Sequence, residues 1–309
     1  MAPPHSASIL AGPGLSSTLS RRSVDLPLAR LSVASCGTGH PVIIVPATIS
    51  LIDDWEAMIR FVGQRYAVHF FELPGYGGSS PLPGGYRSEE IALLVEQFAD
   101  SIGAERFGLL GFSFGGLLAL RTLQRCGDRV DRLCMLAPYV GREAMRHSRR
   151  ELLGMRAALI ALRPEVARRG MVAALRSPAG LALVAWFMRV TGRFETSSDL
   201  RTRLASFTPA SLDVLLAQVN ELLATSSEEL VGPYRTPCLF GMSLFDNTLD
   251  HGRTARFMGE TFPNLTEEQW LFPYHSPPAP LTYADYERDH RTLVEWQPEH
   301  VFRSEPVSA

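Results

Sequence analysis

The first half of the chain alternates between short apolar segments and longer amphipathic ones. Four short, mostly apolar segments are typical of strands in a parallel sheet, and the first of them is a continuous apolar run that suits burial on both faces. They cover residues 41–45, 67–71, 107–111 and 130–137. Helical periods lie between these runs, as in residues 88–102. This alternation predicts a doubly wound α/β sheet with right-handed crossovers.

The pattern changes in the middle of the chain. Residues 141–234 show only helical periods, interrupted by glycines and prolines where helices break or begin. Strand character returns at 237–242, and a helix is predicted to follow it to about Phe262. Residues 268–272 are predicted to form the last strand, and residues 283–296 the closing helix.

The chain of 309 residues is long enough for one large domain or for a core with a smaller part added. The change of pattern predicts that residues 23–140 and 235–309 form the α/β core. Residues 141–234 are predicted to be a helical insertion over one edge of that core. Residues 1–22, rich in Ala, Pro, Ser and Gly, are predicted to be a flexible tail.

Composition and charge argue against several classes of partner. The net charge of −2 gives no global field that would favour nucleic acid or an acidic membrane. The N-terminal residues lack the basic start and apolar stretch of a secretory signal, and the longest apolar run is too short to span a bilayer. Four scattered cysteines without a CxxC pair fit a reducing compartment. We therefore expect a cytoplasmic protein; the sequence leaves its oligomeric state open.

The clearest chemical motif is Gly-Phe-Ser-Phe-Gly at residues 111–115, a match to G-x-S-x-G. A nucleophile elbow needs this spacing because the turn is so tight that side chains on both sides would collide. The turn exposes the Ser113 hydroxyl and directs the next N–H at a developing oxyanion. An apolar strand precedes the motif and a helix follows it, which favours Ser113 as a nucleophile over an incidental serine in a glycine-rich turn.

From about Leu28 onward, the order of segments resembles the α/β-hydrolase fold, in its branch with a serine nucleophile. The segments that carry the resemblance are 37–39, 42–45, 73–80, 111–115, 132–138 and 236–241. The resemblance implies a mostly parallel eight-stranded sheet with helices on both faces. It also implies that residues 141–234 are a helical lid inserted after the sixth strand. Dehalogenases and epoxide hydrolases, which place Asp at the position of Ser113, are disfavoured.

The segment expected to complete the oxyanion hole departs from the family's pattern. His-Gly usually follows the third strand, whereas this chain has Pro46-Ala47-Thr48. Proline has no N–H to donate. The backbone N–H groups of Phe114 and Thr48 are therefore the expected oxyanion donors. Glu72 replaces the Asp that commonly precedes the glycine-rich loop, and we expect it to hold that loop.

The fold implies the chain order serine, acid, histidine. Asp246 lies nearest to the end of the predicted strand at 237–242 and is the expected acid, with Asp250 as the alternative. His275 directly follows the predicted last strand and is the expected base. His290 is the alternative base because the sequence around it is similar to that around the family's histidine. Its place in the closing helix, where a histidine would face solvent, counts against it.

A triad of Ser113, His275 and Asp246 predicts a serine hydrolase that cleaves an ester or thioester of a small-to-medium apolar substrate through an acyl-enzyme. Two alternatives stay open. One is an acyltransferase or C–C bond hydrolase with the same triad, and the other is a non-catalytic protein that binds a small molecule. The chemistry requires no cofactor, and no residues have the spacing of metal ligands.

Overall fold

The computed structural model describes residues 18–182, 207–276 and 281–296. Eight strands of these residues form one sheet in the order β1-β2-β4-β3-β5-β6-β7-β8. They are β1 (Ser20–Asp25), β2 (Arg30–Cys36), β3 (Pro41–Val45), β4 (Ala67–Phe71), β5 (Phe107–Phe112), β6 (Val130–Leu136), β7 (Cys238–Ser243) and β8 (Leu265–Trp270). The pairs β1–β2 and β2–β4 are antiparallel and the other pairs are parallel. The predicted fold class is confirmed.

Helices connect the strands and cover the sheet. In the described residues they are α1 (Ile52–Val62), α2 (Ser88–Ser101), α3 (Phe114–Cys126), α4 (Arg149–Ala161), α5 (Glu165–Arg176), α6 (Pro209–Ala224), α7 (His251–Thr261), α8 (Tyr283–Asp289) and α9 (Thr292–Glu295). Helices α4, α5 and α6 lie between β6 and β7, within the predicted insertion; its residues 183–206 are outside the described part of the chain. None of the helices described is long and apolar enough to cross a membrane.

The apolar core has two layers, one on each face of the sheet. Helices α2 and α3 bury residues such as Phe98 and Leu117 on one face. Helix α1 buries Trp55 and Phe61 on the other face, where α8 adds Tyr286. The central strands are apolar on both faces because both faces are covered.

Three predicted boundaries were wrong. Strand β1 begins at Ser20, so the last residues of the predicted tail are part of the sheet. It was missed because it is a polar edge strand, paired on one side only. The last strand, β8, lies at Leu265–Trp270 rather than at 268–272. The predicted closing helix divides into α8 and α9, and His290 lies at the break.

The register of the sheet determines where its loops meet. Val45, the last residue of β3, pairs with Gly111 of β5. Adjacent strands lie about 4.8 Å apart, so the chain after Val45 leaves the sheet beside the elbow at Ser113. Strands β7 and β8 end at the same edge, at Ser243 and Trp270. The candidate residues therefore meet at the carboxyl edge of the sheet, where ligands bind in open α/β folds.

Candidate active site

Ser113 lies in the tight turn between β5 and α3, with φ of 53° and ψ of −120°. A non-glycine residue at positive φ is strained, and such strain occurs at functional sites. A Cβ atom at Gly111 would lie 2.6 Å from the carbonyl oxygen of Gly115, and one at Gly115 would lie 2.6 Å from the carbonyl oxygen of Val45. The two glycines of the motif are therefore sterically required, as the spacing predicted.

The His275 imidazole lies between Ser113 and Asp246. Its Nε2 atom is 2.7 Å from Ser113 Oγ, and its Nδ1 atom is 2.6 Å from Asp246 Oδ2. The ring of Phe112 stacks on the imidazole, with ring centroids 5.4 Å apart. The structure thus brings together the three side chains singled out in the sequence, and the imidazole has both of its nitrogens engaged.

The Asp246 carboxylate is buried, with 1% of the residue exposed. Its Oδ1 atom accepts hydrogen bonds of 2.8 Å from the N–H groups of Thr248 and Leu249. Burial would raise the pKa of Asp246, but the hydrogen bond and charge of His275, with those two N–H groups, lower it. The carboxylate therefore stays ionised at neutral pH and can fix the tautomer of the imidazole.

The turn that carries Asp246 and the segment that carries His275 are hydrogen-bonded to each other. The Ser243 hydroxyl donates to the carbonyl oxygen of Phe272. The His275 N–H donates to Asn247 Oδ1 at 3.2 Å. These bonds fix the geometry of the acid and base segments without any contribution from the nucleophile.

The two alternative residues have other partners. Asp250 is the N-cap of α7: its Oδ1 atom accepts from the Arg253 N–H at 2.9 Å, and this bond lowers its pKa. His290 is 7% exposed, and its ring lies against Trp270 with centroids 4.8 Å apart. The expectation that His290 faces solvent was wrong. Helix α8 ends at this residue, and the imidazole packs against the rings of Trp270 and Tyr286. Burial lowers the pKa of His290.

The two expected oxyanion donors follow β3 and β5. Phe114 is the first residue of α3, and the first N–H groups of a helix have no partner within it. Neither Phe114 nor Thr48 donates its N–H to a backbone carbonyl within the described residues. Ile49, which follows Thr48 in the chain, has φ of 52°, a strained backbone angle for a β-branched residue. The Pro46-Ala47-Thr48 segment thus leads into a strained turn beside the elbow.

Glu72 holds the glycine-rich loop, as the sequence predicted. Its carboxylate accepts from the Gly78 N–H at 2.7 Å and from the Ile52 N–H at 3.1 Å. A Cβ atom at Gly77 would overlap this carboxylate, 2.0 Å from Oε2. The loop after β4 and the start of α1 are therefore joined through one buried side chain.

Sequence reasoning missed three residues that support the site. Phe112 stacks on the imidazole, Asn247 accepts from the His275 N–H, and Arg146 donates from Nη1 to the Asp246 carbonyl oxygen at 2.9 Å. Phe112 directly precedes Ser113 and Asn247 directly follows Asp246, so their place next to predicted site residues could have indicated that they contact the site. Arg146 is 100 residues from Asp246 along the chain, and no local pattern predicts that contact.

Comparisons with known proteins agree with this architecture. A family model described as alpha/beta hydrolase fold matches residues 40–168. The chain is 29% identical over 133 residues to the abhydrolase domain-containing protein abhd-5.2 of Caenorhabditis elegans, a match that covers 38% of this chain and 30% of that protein. It is 24% identical over 110 residues to the pimeloyl-[acyl-carrier protein] methyl ester esterase of Nitrosomonas europaea, covering 36% of this chain and 42% of the esterase. The chain thus spans less than half the length of these relatives.

Solved structures extend the similarity to nearly the whole chain. A thermophilic esterase from Thermogutta terrifontis superposes with a TM-score of 0.67 at 20% identity, covering 91% of this chain and 99% of that one. Identity at this level shows a shared fold. The chain therefore has the α/β-hydrolase fold.

Proposed function

We propose that the protein is a serine hydrolase that cleaves an ester or thioester of a small-to-medium apolar substrate. The observation that carries the proposal is the position of the His275 imidazole, which is hydrogen-bonded to Ser113 on one side and to Asp246 on the other. Nucleophile, base and orienting acid in this geometry form the constellation that recurs in serine hydrolases of unrelated folds.

In the proposed mechanism, His275 Nε2 takes the proton of the Ser113 hydroxyl as Oγ attacks the carbonyl carbon. The ionised Asp246 holds the proton on Nδ1 and stabilises the imidazolium. The N–H groups of Phe114 and Thr48 donate to the oxyanion of the tetrahedral intermediate. His275 then protonates the leaving alcohol or thiol, and water hydrolyses the acyl-enzyme with His275 again as the base.

Two further features support the proposal. Four curated relatives are esterases by name, and so is a protein of similar fold. The insertion that contains α4, α5 and α6 follows β6, and the carboxyl end of β6 lies beside the elbow because Leu136 of β6 pairs with Phe112 of β5. We infer that residues 141–234 act as a lid over the site.

Reaction with a fluorophosphonate probe, followed by turnover of p-nitrophenyl esters, tests the proposal. Wild-type protein should be labelled at Ser113 and should hydrolyse the esters, and Ser113→Ala should do neither. His275→Ala should abolish turnover. His290→Ala is the matched control and should retain it. Absence of labelling would contradict catalysis and favour a binding protein, whereas labelling without ester turnover would favour acyl transfer or C–C cleavage.

A further inference from the structure

Both nitrogens of the His275 imidazole are engaged in the triad, which leaves the faces of the ring for contact with other side chains. Phe112 stacks on one of these faces, with the two ring centroids 5.4 Å apart and the ring planes inclined by 26°. The His275 side chain is only 10% exposed. The base of the triad therefore lies against an aromatic ring in a place that admits little water.

Phe112 is held in this position by a row of aromatic rings. It is the last residue of β5, and side chains alternate along a strand, so it lies on the same side as Leu110, toward α1. The ring of Trp55, on α1, meets it with centroids 6.0 Å apart and planes inclined by 61°. Trp55 in turn stacks on Phe70 of β4 at 5.6 Å. The row runs from the buried core to the imidazole, so the Phe112 ring is preorganised beside the base.

The proposed function requires a positive charge on this imidazole. As Ser113 Oγ bonds to the carbonyl carbon, its proton passes to His275 Nε2 and the electron pair of the carbonyl bond moves onto the oxygen. The imidazole is neutral before this step and is an imidazolium after it. A group that binds the imidazolium more strongly than the neutral imidazole accelerates the step, because it stabilises the transition state more than the ground state.

The face of an aromatic ring distinguishes these two charge states. Its π electrons give the face a negative quadrupole, and a cation within about 6 Å of the ring centroid is attracted to it. The Phe112 ring lies within this distance of the imidazole. The attraction is stronger where water is excluded, as it is around the His275 side chain. An aliphatic side chain of similar size would fill the same space without favouring the charged form.

We propose that the Phe112 ring stabilises the imidazolium of His275 and thereby lowers the barrier to attack by Ser113. The inference rests on the proposed function, since it needs the proton transfer from Ser113 to His275. It goes further by assigning a part in the chemical step to a side chain outside the triad and the oxyanion donors. Asp246 attracts the imidazolium from one edge of the ring, and Phe112 attracts it from one face.

Fluorinated phenylalanines placed at position 112 of the full chain test the inference, because fluorine withdraws electrons from the ring face and changes the size of the ring only slightly. The series is phenylalanine and its mono-, di- and trifluoro analogues, and the measurement is kcat/KM for p-nitrophenyl acetate. We expect kcat/KM to fall with each added fluorine, by about three- to tenfold over the series, and at least as far in Phe112→Leu.

The same analogues at position 61 are the matched control. Phe61 is buried in the core layer of α1, where it faces Tyr283 and Tyr286 rather than the triad. Fluorination there should keep the wild-type kcat/KM. An equal fall at positions 61 and 112 would overturn the inference, because it would reflect a general effect of fluorine on the core.

The rate at which a fluorophosphonate modifies Ser113 gives a second measurement that does not require turnover. In this reaction Ser113 Oγ bonds to phosphorus, fluoride leaves, and His275 takes the proton. A stepwise fall of this rate along the series at position 112 supports the inference, even if no carboxylic ester is hydrolysed. Rates that stay constant along the series, with or without a loss in Phe112→Leu, overturn the inference and leave the serine hydrolase in place. Failure of the wild-type protein to be modified at Ser113 overturns the inference and the proposed function together.

Discussion

Glu221 is a partly buried acid whose replacement by glutamine should stabilise the protein at neutral pH. It lies on α6, and its Oε1 atom accepts from the Ser88 N–H at 2.8 Å, at the start of α2. Its Oε2 atom is buried and has no hydrogen-bond partner in the described part of the chain. Burial raises the pKa of Glu221 from 4.5 to about 7, although the bond from Ser88 acts in the opposite direction.

The sign of the pH dependence follows from this raised pKa. Between pH 4.5 and 7 the folded protein holds a proton on Glu221 that the unfolded chain has lost, so the free energy of unfolding falls as pH rises through this window. Below pH 4.5 both states are protonated, and above pH 7 the full penalty is present. At 1.36 kcal/mol for each pH unit, the upper limit of the penalty is about 3 kcal/mol. We expect Glu221→Gln to recover about 1–3 kcal/mol at pH 8 and almost nothing at pH 4.5.

Urea unfolding at pH 4.5, 6 and 8, followed by circular dichroism, measures the effect for wild type and Glu221→Gln. The difference between the two proteins isolates Glu221 from every other titrating group. Glu228→Gln, at an exposed position near the end of the same insertion, is the matched control and should follow the wild type. A stability difference for Glu221→Gln that is the same at all three pH values would refute the reasoning.

Three further outcomes are expected. Asp246→Asn should keep the fold but lower kcat for ester hydrolysis by about 10³–10⁴-fold, because the imidazole loses its orienting carboxylate; activity near wild type would exclude Asp246 as the acid. Asp250→Ala should lower the free energy of unfolding by about 1 kcal/mol through loss of the α7 N-cap, with kcat unchanged, as urea titration and ester kinetics would show. Gly111→Ala should lower the free energy of unfolding by about 1–3 kcal/mol, because the Cβ atom of the alanine would lie 2.6 Å from the Gly115 carbonyl oxygen. A urea midpoint equal to that of the wild type would contradict this.

The elbow was predictable from sequence because it is local. Strand, tight turn and helix follow one another within a few residues. The two positions where a side chain would collide, Gly111 and Gly115, are the two glycines of the motif itself. Most central strands were predictable for a similar reason. They are buried on both faces and read as continuous apolar runs. Strand β1 carries no such run, since it is a polar edge strand.

The position of the base depends on tertiary structure, and sequence alone left two candidates. His275 and His290 both follow β8, and the choice between them depends on how the chain turns after that strand. The break between α8 and α9 buries His290 among aromatic rings, a contact that no periodicity predicts. The contact from Arg146 to the acid turn is likewise set by the fold, because it joins residues far apart in the chain.

The insertion between β6 and β7 also affects the order in which the protein folds. The two strands are neighbours in the sheet, yet about a hundred residues separate them along the chain. During synthesis at about 5–20 residues per second, the nucleophile elbow and β6 emerge roughly 5–20 s before β7 can pair. Throughout that interval β6 can pair with β5 but has no partner on its β7 side, and an unpaired strand edge of this kind promotes aggregation. Ser113 is thus synthesised well before Asp246 and His275, so the triad cannot form during that interval. Binding of a chaperone to the exposed β6 edge would protect the nascent chain most in the same interval.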